Sequence, residues 1–423
     1  MENQSGILLK DVILNNQSVN IKIDNSRISE ISYDSIEIEN GCYQTIDGQN
    51  KLAVFPPFYN GHTHCAMSIL KGYADDLELM DWLENHIWPA ESLLTKEDVY
   101  AASRLAILEM IKSGTVFFND MYWFQTETLK ACEELKIRAE IGLLYICDEN
   151  GNVLERNIQS SQELLDMAKS SSSRISISCA PHGVYTVSDK VLAAIAQEAQ
   201  TFNRRIHIHA SETAYEVETC KKRTGASPII HLKNLGLLTS NTILAHAVHL
   251  DDEDRLAIAQ AQSTIVHNPV SNLKLVSGLF DFEKNIKSNC KVILGTDGNA
   301  SNNNLSFFDE MKSAALMAKL VAQNPKAGNV NDIFNAATVK SANAFGIDAG
   351  IEVGKVADLM LISLDNPIMQ ANHNTISNLV YAADSSVVDT LICDGNILML
   401  HRVVPQEEEI LYYAKECCRK FRR

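Results

Sequence analysis

Five side chains that can bind a metal ion or move a proton stand at the ends of short apolar runs in this chain. They are His62, His64, His209, His246 and Asp297. His62 and His64 are two residues apart in an extended segment, so their side chains point to the same face. Three imidazoles and one carboxylate suit Zn²⁺ or Fe²⁺ with a coordination position left for water. We therefore predict that His62, His64, His209 and Asp297 bind one divalent ion.

The chemistry expected at such a site is hydrolysis. A bound divalent cation lowers the pKa of coordinated water towards 7. Asp297 and His246 can orient this water and accept its proton. Glu212, three residues after His209, can carry a proton to a substrate nitrogen. A simpler alternative for Glu212 is a carboxylate that stabilises the N-terminus of a helix.

The other histidines are predicted to be structural. His207 shares the strand face of His209 but lies one pleat deeper, so a core histidine is favoured over a metal ligand. The same interpretation applies to His249 and His267. Surface or structural positions are expected for His86, His231, His373 and His401.

Eight apolar, strand-like segments alternate with helical segments through the middle of the chain. They span residues 52–55, 115–118, 137–145, 175–179, 205–209, 242–245, 263–266 and 291–295. Such a pattern indicates a parallel sheet covered on both faces, and eight strands favour a (β/α)8 barrel over an open doubly wound sheet. The phosphate-binding patterns GxGxxG and GxxxxGK[ST] are absent. Every candidate group lies at the carboxyl end of its predicted strand, where barrel enzymes place their chemistry.

Both ends of the chain differ from the middle, because they contain short β-type runs separated by turns. We predict that residues 1–55 and 350–405 pack together as a composite β-sandwich domain. The barrel then spans residues 56–349, and residues 406–423 form a C-terminal helix or tail. Within the barrel, Thr95 is placed to cap a helix and Gly114 to end it.

The composition limits the class of protein. The chain has 423 residues, 46% hydrophobic and 21% charged, as expected for a globular protein, and its formal charge of −16 argues against nucleic acid or anionic membrane as a partner. No signal peptide or membrane-spanning run is recognised, and the basic segment 419–423 is interpreted as a solvated terminus. The ten cysteines lack CxxC spacing, which favours reduced thiols and a cytoplasmic location. A small-molecule substrate is expected, and a homo-oligomer is compatible with the fold.

Taken together, the motifs resemble the amidohydrolase superfamily. More narrowly, they are similar to the branch that holds S-adenosylhomocysteine/5′-methylthioadenosine deaminases, guanine deaminase and triazine chlorohydrolases. The resemblance extends over nearly the whole chain. Its motifs are Asn60-Gly61-His62-Thr63-His64, Ala180-Pro181-His182, His207-Ile208-His209-Ala210-Ser211-Glu212, Ala245-His246, Asn268-Pro269-Val270-Ser271-Asn272-Leu273-Lys274-Leu275 and Gly295-Thr296-Asp297-Gly298.

The resemblance implies a mononuclear site in which the four predicted ligands hold the metal, with zinc expected and iron as the alternative. It implies that His246 holds the hydroxide, that Glu212 transfers a proton to the ring nitrogen, and that His182 contacts the substrate. Binuclear members use a carboxylated lysine after the fourth strand. The corresponding segment here, Ser178-Cys179-Ala180-Pro181-His182, has no lysine, in agreement with one metal.

The substrate is less well defined by the sequence. Trp88-Pro89-Ala90-Glu91 resembles the segment in which adenosine-type deaminases place a glutamate on the ribose hydroxyls, so Glu91 is the candidate, with a helix-capping or surface glutamate as the alternative. A substrate carboxylate would need a cation. Arg138 and Arg156 lie in roughly the right region of the sequence, but neither belongs to a recognisable motif. Arg156 is our candidate, and a solvated position is the alternative for both arginines.

The predicted activity is hydrolytic deamination of an adenine-based nucleoside or thioether, namely 5′-methylthioadenosine, S-adenosylhomocysteine or 5′-deoxyadenosine. The alternatives are a deaminase or chlorohydrolase that acts on guanine, a pterin or a triazine, and a metalloprotein scaffold without catalytic activity. The scaffold hypothesis predicts that the substitution Glu212→Gln leaves cellular function unchanged.

Overall fold

Two eight-stranded sheets organise the chain in the computed structural model, which describes residues 6–38, 42–77 and 79–421. The strands of the described residues are β1 Gly6–Leu14, β2 Gln17–Asp24, β3 Arg27–Ser32, β4 Tyr43–Asp47, β5 Leu52–Phe55, β6 Phe58–Thr63, β7 Thr115–Asp120, β8 Arg138–Tyr145, β9 Ile175–Pro181, β10 Ile206–Ala210, β11 Thr242–His246, β12 Thr264–His267, β13 Lys291–Leu294, β14 Leu359–Ser363, β15 Val388–Cys393 and β16 Asn396–Met399.

Helices separate the strands of the barrel and cover its outer face. The α-helices of the described residues are α1 Leu79–Trp82, α2 Trp88–Glu91, α3 Lys96–Lys112, α4 Gln125–Leu135, α5 Glu155–Ala168, α6 Asp189–Phe202, α7 Ala214–Thr224, α8 Pro228–Asn234, α9 Asp252–Ala261, α10 Pro269–Lys274, α11 Phe282–Lys287, α12 Asn299–Asn302, α13 Phe307–Ala322, α14 Val330–Ala337, α15 Val339–Ala344, α16 Thr375–Tyr381 and α17 Glu407–Cys418. A π-helical turn, Leu83–Ile87, joins α1 to α2. Among the described residues, every helix is too short or too polar to span a lipid bilayer.

The second sheet is a nearly closed parallel barrel in which β6 to β13 pair in sequence order. Its first and last strands meet at the carboxyl end, where the backbone N–H of Asp297 donates to the carbonyl of His62 at 3.0 Å. Continuously buried strands such as Phe58–Thr63 fit this position, because helices and the barrel interior cover both of their faces. The barrel fold predicted from the sequence is confirmed.

The prediction for the first barrel strand is wrong. Leu52–Phe55 belongs to the other sheet, where β5 pairs antiparallel with β14. Two prolines, Pro56 and Pro57, follow β5, and because proline has no backbone N–H they end its pairing. The first barrel strand is therefore β6, and the other seven predicted strands overlap β7 to β13 with ends that differ by at most two residues.

The first sheet joins the two ends of the chain, as predicted. Its order is β16-β15-β14-β5-β1-β2-β3, with β4 paired to β1, and it surrounds an apolar core of its own that includes Leu9, Ile21, Val54, Leu361 and Ile392. The residue boundaries given to the two domains stay a prediction. The C-terminal segment forms α17 and a short 3-10 turn, while residues 422–423 of the predicted basic terminus lie outside the described residues.

Helix α3 shows how local sequence sets an element that covers the barrel. Thr95 is its N-cap and accepts a hydrogen bond from the Asp98 backbone N–H, while the Asp98 carboxylate accepts one from the Thr95 N–H. This reciprocal capping box satisfies two backbone donors. Gly114 follows the helix with a φ of +92°, a conformation that suits glycine and turns the chain into β7. Both predictions for this helix are confirmed.

Candidate active site

The four predicted metal ligands converge at the carboxyl end of the barrel. His62 lies in β6, His64 follows it, His209 lies in β10 and Asp297 follows β13. Asp297 Oδ1 is 3.5 Å from His62 Nε2 and 3.3 Å from His64 Nε2. His209 Nε2 is 3.3 Å from His64 Nε2, and the donor atoms of the three histidines lie within 4.8 Å of one another. These separations match a site for a single ion.

Backbone carbonyls orient two of the imidazoles. His64 Nδ1 donates to the carbonyl of Met121 at 2.6 Å, and His209 Nδ1 donates to the carbonyl of His182 at 2.6 Å. A carbonyl only accepts, so the ring proton must reside on Nδ1 and the Nε2 lone pair is free. Histidines that bind metals usually do so in this way: one ring nitrogen is left for the metal, and the other donates a hydrogen bond to a neighbouring acceptor.

His62 gives the clearest test of whether a metal fits. Its ring is fully buried, and its Nε2 atom has no hydrogen-bond partner among the described residues. Burial lowers the pKa of His62 to about 4 and that of His209 well below its ordinary value, so both rings are neutral. Neutral imidazole is the form that binds metals. An unpartnered, buried and neutral ring nitrogen beside a carboxylate fits one divalent metal ion.

The backbone and neighbouring hydroxyls hold Asp297 in place. Its Oδ2 atom accepts from Ser271 Oγ at 2.6 Å and from Ser301 Oγ at 3.0 Å, while Oδ1 accepts from the Gly298 N–H at 2.7 Å. Asp297 has a φ of +61° and His246 a φ of +71°. Left-handed backbone at non-glycine residues costs free energy and is concentrated at functional sites.

His246 and Glu212 face each other beside the ligands. His246 Nδ1 donates to Asn272 Oδ1 at 2.8 Å, which leaves Nε2 directed towards Glu212 Oε2 at 3.9 Å. Burial lowers the pKa of His246, but the negative charges of Glu212 and Asp297 outweigh burial and the pKa is raised overall. His246 is therefore suited to accept a proton.

Glu212 is held at both its backbone and its side chain. Its Oε1 atom accepts from Ser277 Oγ at 3.0 Å, and its backbone N–H donates to Glu216 Oε2 at 2.8 Å. Helix α7 begins after Thr213, so Glu216 rather than Glu212 is the acidic residue of its first turn. The geometry thus favours a role for Glu212 at the site over the alternative of a helix-terminal carboxylate.

Sequence reasoning missed Glu216 and Ser277. Glu216 also accepts from the Ser211 N–H at 3.0 Å, and burial raises its pKa from 4.5 to about 7. An acidic residue in a first helical turn is common, and Ser277 lies 65 positions from Glu212, so neither carried a signal in the sequence. The hydrogen bonds that Glu216 and Ser277 make to this segment can be identified only from the positions of the loops in the structure.

Three of the four predicted ligands, His64, His209 and Asp297, line a cavity of about 80 Å³, which shares some of its walls with a larger cavity of about 840 Å³. The walls common to both are formed by Leu79, Trp88, Glu91, Trp123, Ile146, His182, Tyr185 and Glu212. Apolar surface predominates in both cavities and a few charged and polar groups face them, which is typical of a small-molecule site.

Three side chains predicted to bind substrate lie along these cavities. Glu91 Oε2 accepts from Trp123 Nε1 at 3.1 Å, and the Arg156 guanidinium lies 4.0 Å from the centroid of the Trp123 ring. Burial raises the pKa of Glu91 and lowers that of Arg156. His182 lies with its ring centroid 4.7 Å from that of His209, and burial lowers its pKa to about 3. Its ring is therefore neutral.

Arg138 lies elsewhere. It begins β8, at the opposite end of the barrel, and its guanidinium pairs with Asp358 at 3.1 Å and with Asp394 at 2.7 Å. These carboxylates belong to the first sheet and its turns, so Arg138 joins the two sheets. The suggestion that Arg138 could meet a substrate carboxylate is wrong, because strand direction places it away from the cavity.

The histidines predicted to be structural have partners in the core. His249 Nε2 donates to the Ser277 carbonyl at 2.6 Å, and the His267 ring stacks on Phe280 with centroids 4.1 Å apart. His207 is fully buried, as predicted, but its Nε2 atom lies 2.8 Å from Nδ1 of His62. Its contact with a predicted ligand was not foreseen.

Fold and site define a class of protein. A parallel barrel with histidines and an aspartate at its carboxyl end, joined to a sheet from both chain termini, is the architecture expected from the motifs. Residues 53–398 match the amidohydrolase family. This chain belongs to that family, and it is a hydrolytic enzyme of the aminohydrolase type.

Several relatives within this family are similar to the chain over nearly its full length. The chain is 39% identical to a 5′-deoxyadenosine deaminase from Methanosphaera stadtmanae, over 98% of this chain and 99% of the relative. It is 39% identical to a 5-methylthioadenosine/S-adenosylhomocysteine deaminase from Thermoanaerobacter pseudethanolicus, over 95% and 94% of the two chains. The crystal structure of an adenosine deaminase from Xanthomonas campestris with bound zinc is similar with a TM-score of 0.89 and 29% identity, covering 98% of each chain.

Proposed function

We propose that this protein is a metal-dependent hydrolytic deaminase of adenine-based nucleosides and thioethers. The substrates expected are 5′-deoxyadenosine, 5′-methylthioadenosine and S-adenosylhomocysteine. The observation that supports this best is the convergence of three imidazole nitrogens and the Asp297 carboxylate beside Glu212 and His246. Relatives that are about 40% identical over nearly their full length and named as deaminases of these compounds support the substrate class.

His62, His64, His209 and Asp297 would hold the metal. Zinc is the expected ion, because the donor set of three imidazoles and one carboxylate suits it and a related structure contains it. Iron is the alternative. When bound, a divalent ion supplies a lower pKa for water and so a nucleophile at neutral pH.

Three side chains are assigned to proton transfer in this proposal. Asp297 and His246 orient the attacking water and accept its proton. Glu212 Oε2, which faces His246 while Ser277 holds Oε1, carries a proton to the ring nitrogen next to the amine-bearing carbon. The water oxygen forms a bond to that carbon, one of the two water protons ends on the ring nitrogen and the other on the amine, and the carbon–nitrogen bond breaks so that ammonia leaves. The product carries a carbonyl where the substrate carried an amine.

The cavities suggest how the substrate lies. In the proposed pose the adenine ring lies in the small cavity beside Glu212, with His182 in contact with the ring. Glu91 then accepts hydrogen bonds from the ribose hydroxyls, and the 5′ group enters the larger cavity of about 840 Å³. Arg156, already held against Trp123, would pair with the carboxylate of a substrate that has one.

The experiment is a substrate panel on protein of known metal content. Ammonia release and loss of adenine absorbance are measured with 5′-deoxyadenosine, 5′-methylthioadenosine, S-adenosylhomocysteine and adenosine. Turnover of at least one of the first three supports the proposal. If metal-loaded protein turns over none of the four, the proposed activity is wrong, and a second panel of guanine, melamine and a chlorotriazine tests the alternatives with the same fold.

Two further expectations concern the cell. Buried thiols such as Cys65, Cys132 and Cys179 suit a reducing compartment, so we expect a cytoplasmic enzyme. Fractionation with a thiol-alkylation assay would test this. Symmetric assembly is common among such enzymes, and light scattering would determine whether this chain forms one.

A further inference from the structure

His207 stands directly behind the metal-binding face of the barrel. It lies in β10 two residues before His209, so the two side chains share a strand face and His207 is one layer deeper. Its Nε2 atom is 2.8 Å from Nδ1 of His62, and both rings are fully buried. The contact therefore joins His207, which is not itself a predicted ligand, to the predicted ligand His62.

The contact restricts the protons on both rings. A metal-binding His62 Nε2 must offer its lone pair, so the one ring proton of neutral His62 resides on Nδ1. That N–H then donates to His207, whose Nε2 must be unprotonated and whose own proton must reside on Nδ1. With the His62 proton on Nδ1, a proton on His207 Nε2 would place two donors 2.8 Å apart, and the reversed hydrogen bond would put the His62 proton on Nε2, where it blocks the metal.

His62 differs in this respect from the other two histidine ligands. His64 and His209 each donate to a backbone carbonyl, which no side-chain substitution can remove. The acceptor behind His62 is a side chain. The orientation of this one ligand thus depends on the residue at position 207.

We propose that His207 is a positioning residue that fixes the orientation and tautomer of His62 and thereby raises the affinity of the protein for its metal. The inference rests on the proposed metal site and adds a determinant to it. Groups that hold a ligand from behind typically contribute about 10- to 100-fold in metal affinity. His207 is expected to contribute within that range.

The test compares substitutions that differ only at the end of the side chain. His207→Gln places an amide oxygen as many bonds from Cβ as Nε2, so it can accept the proton of His62. His207→Met has similar length but ends in a methyl group. Metal affinity is measured by competition with a chelator of known affinity, and Co²⁺ absorption reports the coordination geometry. We expect about 10- to 100-fold weaker binding in the Met variant and recovery of most of that loss in the Gln variant.

His267 provides a matched control, because it is also a buried barrel histidine whose Nδ1 has no hydrogen-bond partner among the described residues. His267→Met should lose packing without weakening metal binding. If His207→Met does not fold, His207→Asn replaces it, since its shorter side chain cannot bring an acceptor to the Nε2 position. His207 variants without an acceptor that bind metal as tightly as the native protein would overturn the inference. Native protein that binds no metal would instead overturn the proposed function.

Discussion

Replacing Glu212 by glutamine removes the proposed proton carrier with little change to its surroundings. The amide oxygen can still accept from Ser277 Oγ, now 3.0 Å from Glu212 Oε1. The backbone N–H of residue 212 still donates to Glu216. The new NH₂ group takes the place of Oε2, which lies 3.9 Å from His246 Nε2. An amide cannot carry a proton to the substrate nitrogen.

The expected loss follows from the role of this group. General acid–base catalysis by one positioned side chain contributes about 10²- to 10⁴-fold. At about 1.36 kcal/mol for each factor of ten, the barrier should rise by roughly 3–5 kcal/mol. The effect should fall on kcat, because Glu212 acts on the reacting atoms, and KM should change little. Metal content should be unchanged, because Glu212 is not a predicted ligand.

The values of kcat and KM are measured by steady-state kinetics with 5′-deoxyadenosine, and the metal content of each preparation is determined alongside. Glu218→Gln is the matched control, since Glu218 lies on the same helix α7 with its side chain 69% exposed and should leave kcat unchanged. A Glu212→Gln enzyme with normal metal content and a kcat within about tenfold of the native value would refute the assigned role.

Three further predictions test other parts of the structure. Glu91→Gln should raise KM for nucleosides by about tenfold or more with a smaller effect on kcat, because a charged acceptor for the ribose is lost; unchanged KM would exclude that contact. Burial raises the pKa of Glu216 from 4.5 to about 7, so the folded state holds a proton that the unfolded state has released. Stability of the metal-free protein should therefore fall by about 3 kcal/mol between about pH 4.5 and 7.5 relative to Glu216→Gln; urea unfolding that shows no pH-dependent difference would contradict this. Arg138→Met should cost about 3–5 kcal/mol of unfolding free energy, because the buried Asp358 carboxylate loses its compensating positive charge; a loss below about 1 kcal/mol in urea would contradict it.

The barrel, and the meeting of the predicted metal ligands at one of its ends, could be inferred from short segments. The parallel strands of a barrel all end at one face, so groups that follow different strands meet there even when they are far apart in sequence. His62, His209 and Asp297 lie within three residues of the ends of β6, β10 and β13. Their convergence is a consequence of strand direction.

The sheet to which a strand belongs could not be predicted in the same way. Leu52–Phe55 and Phe58–Thr63 are both short apolar runs, and both are suited to a buried strand. Periodicity indicates that a strand is buried but not which neighbour it pairs with. Leu52–Phe55 belongs to the first sheet because β5 pairs with β14, which lies more than 300 positions later in the chain.

The residues that hold the predicted site residues in place could be identified only from the structure. Ser277, Glu216 and His207 have ordinary side chains for their positions, and their importance lies in which atoms they touch. The chemical identity of a group is encoded at one position, whereas a hydrogen bond between loops depends on packing of the whole barrel to within a few tenths of an ångström. Residue types and their positions after strands therefore indicated hydrolysis at a metal site, while folding determined which neighbours hold the predicted groups and where cavities form beside them.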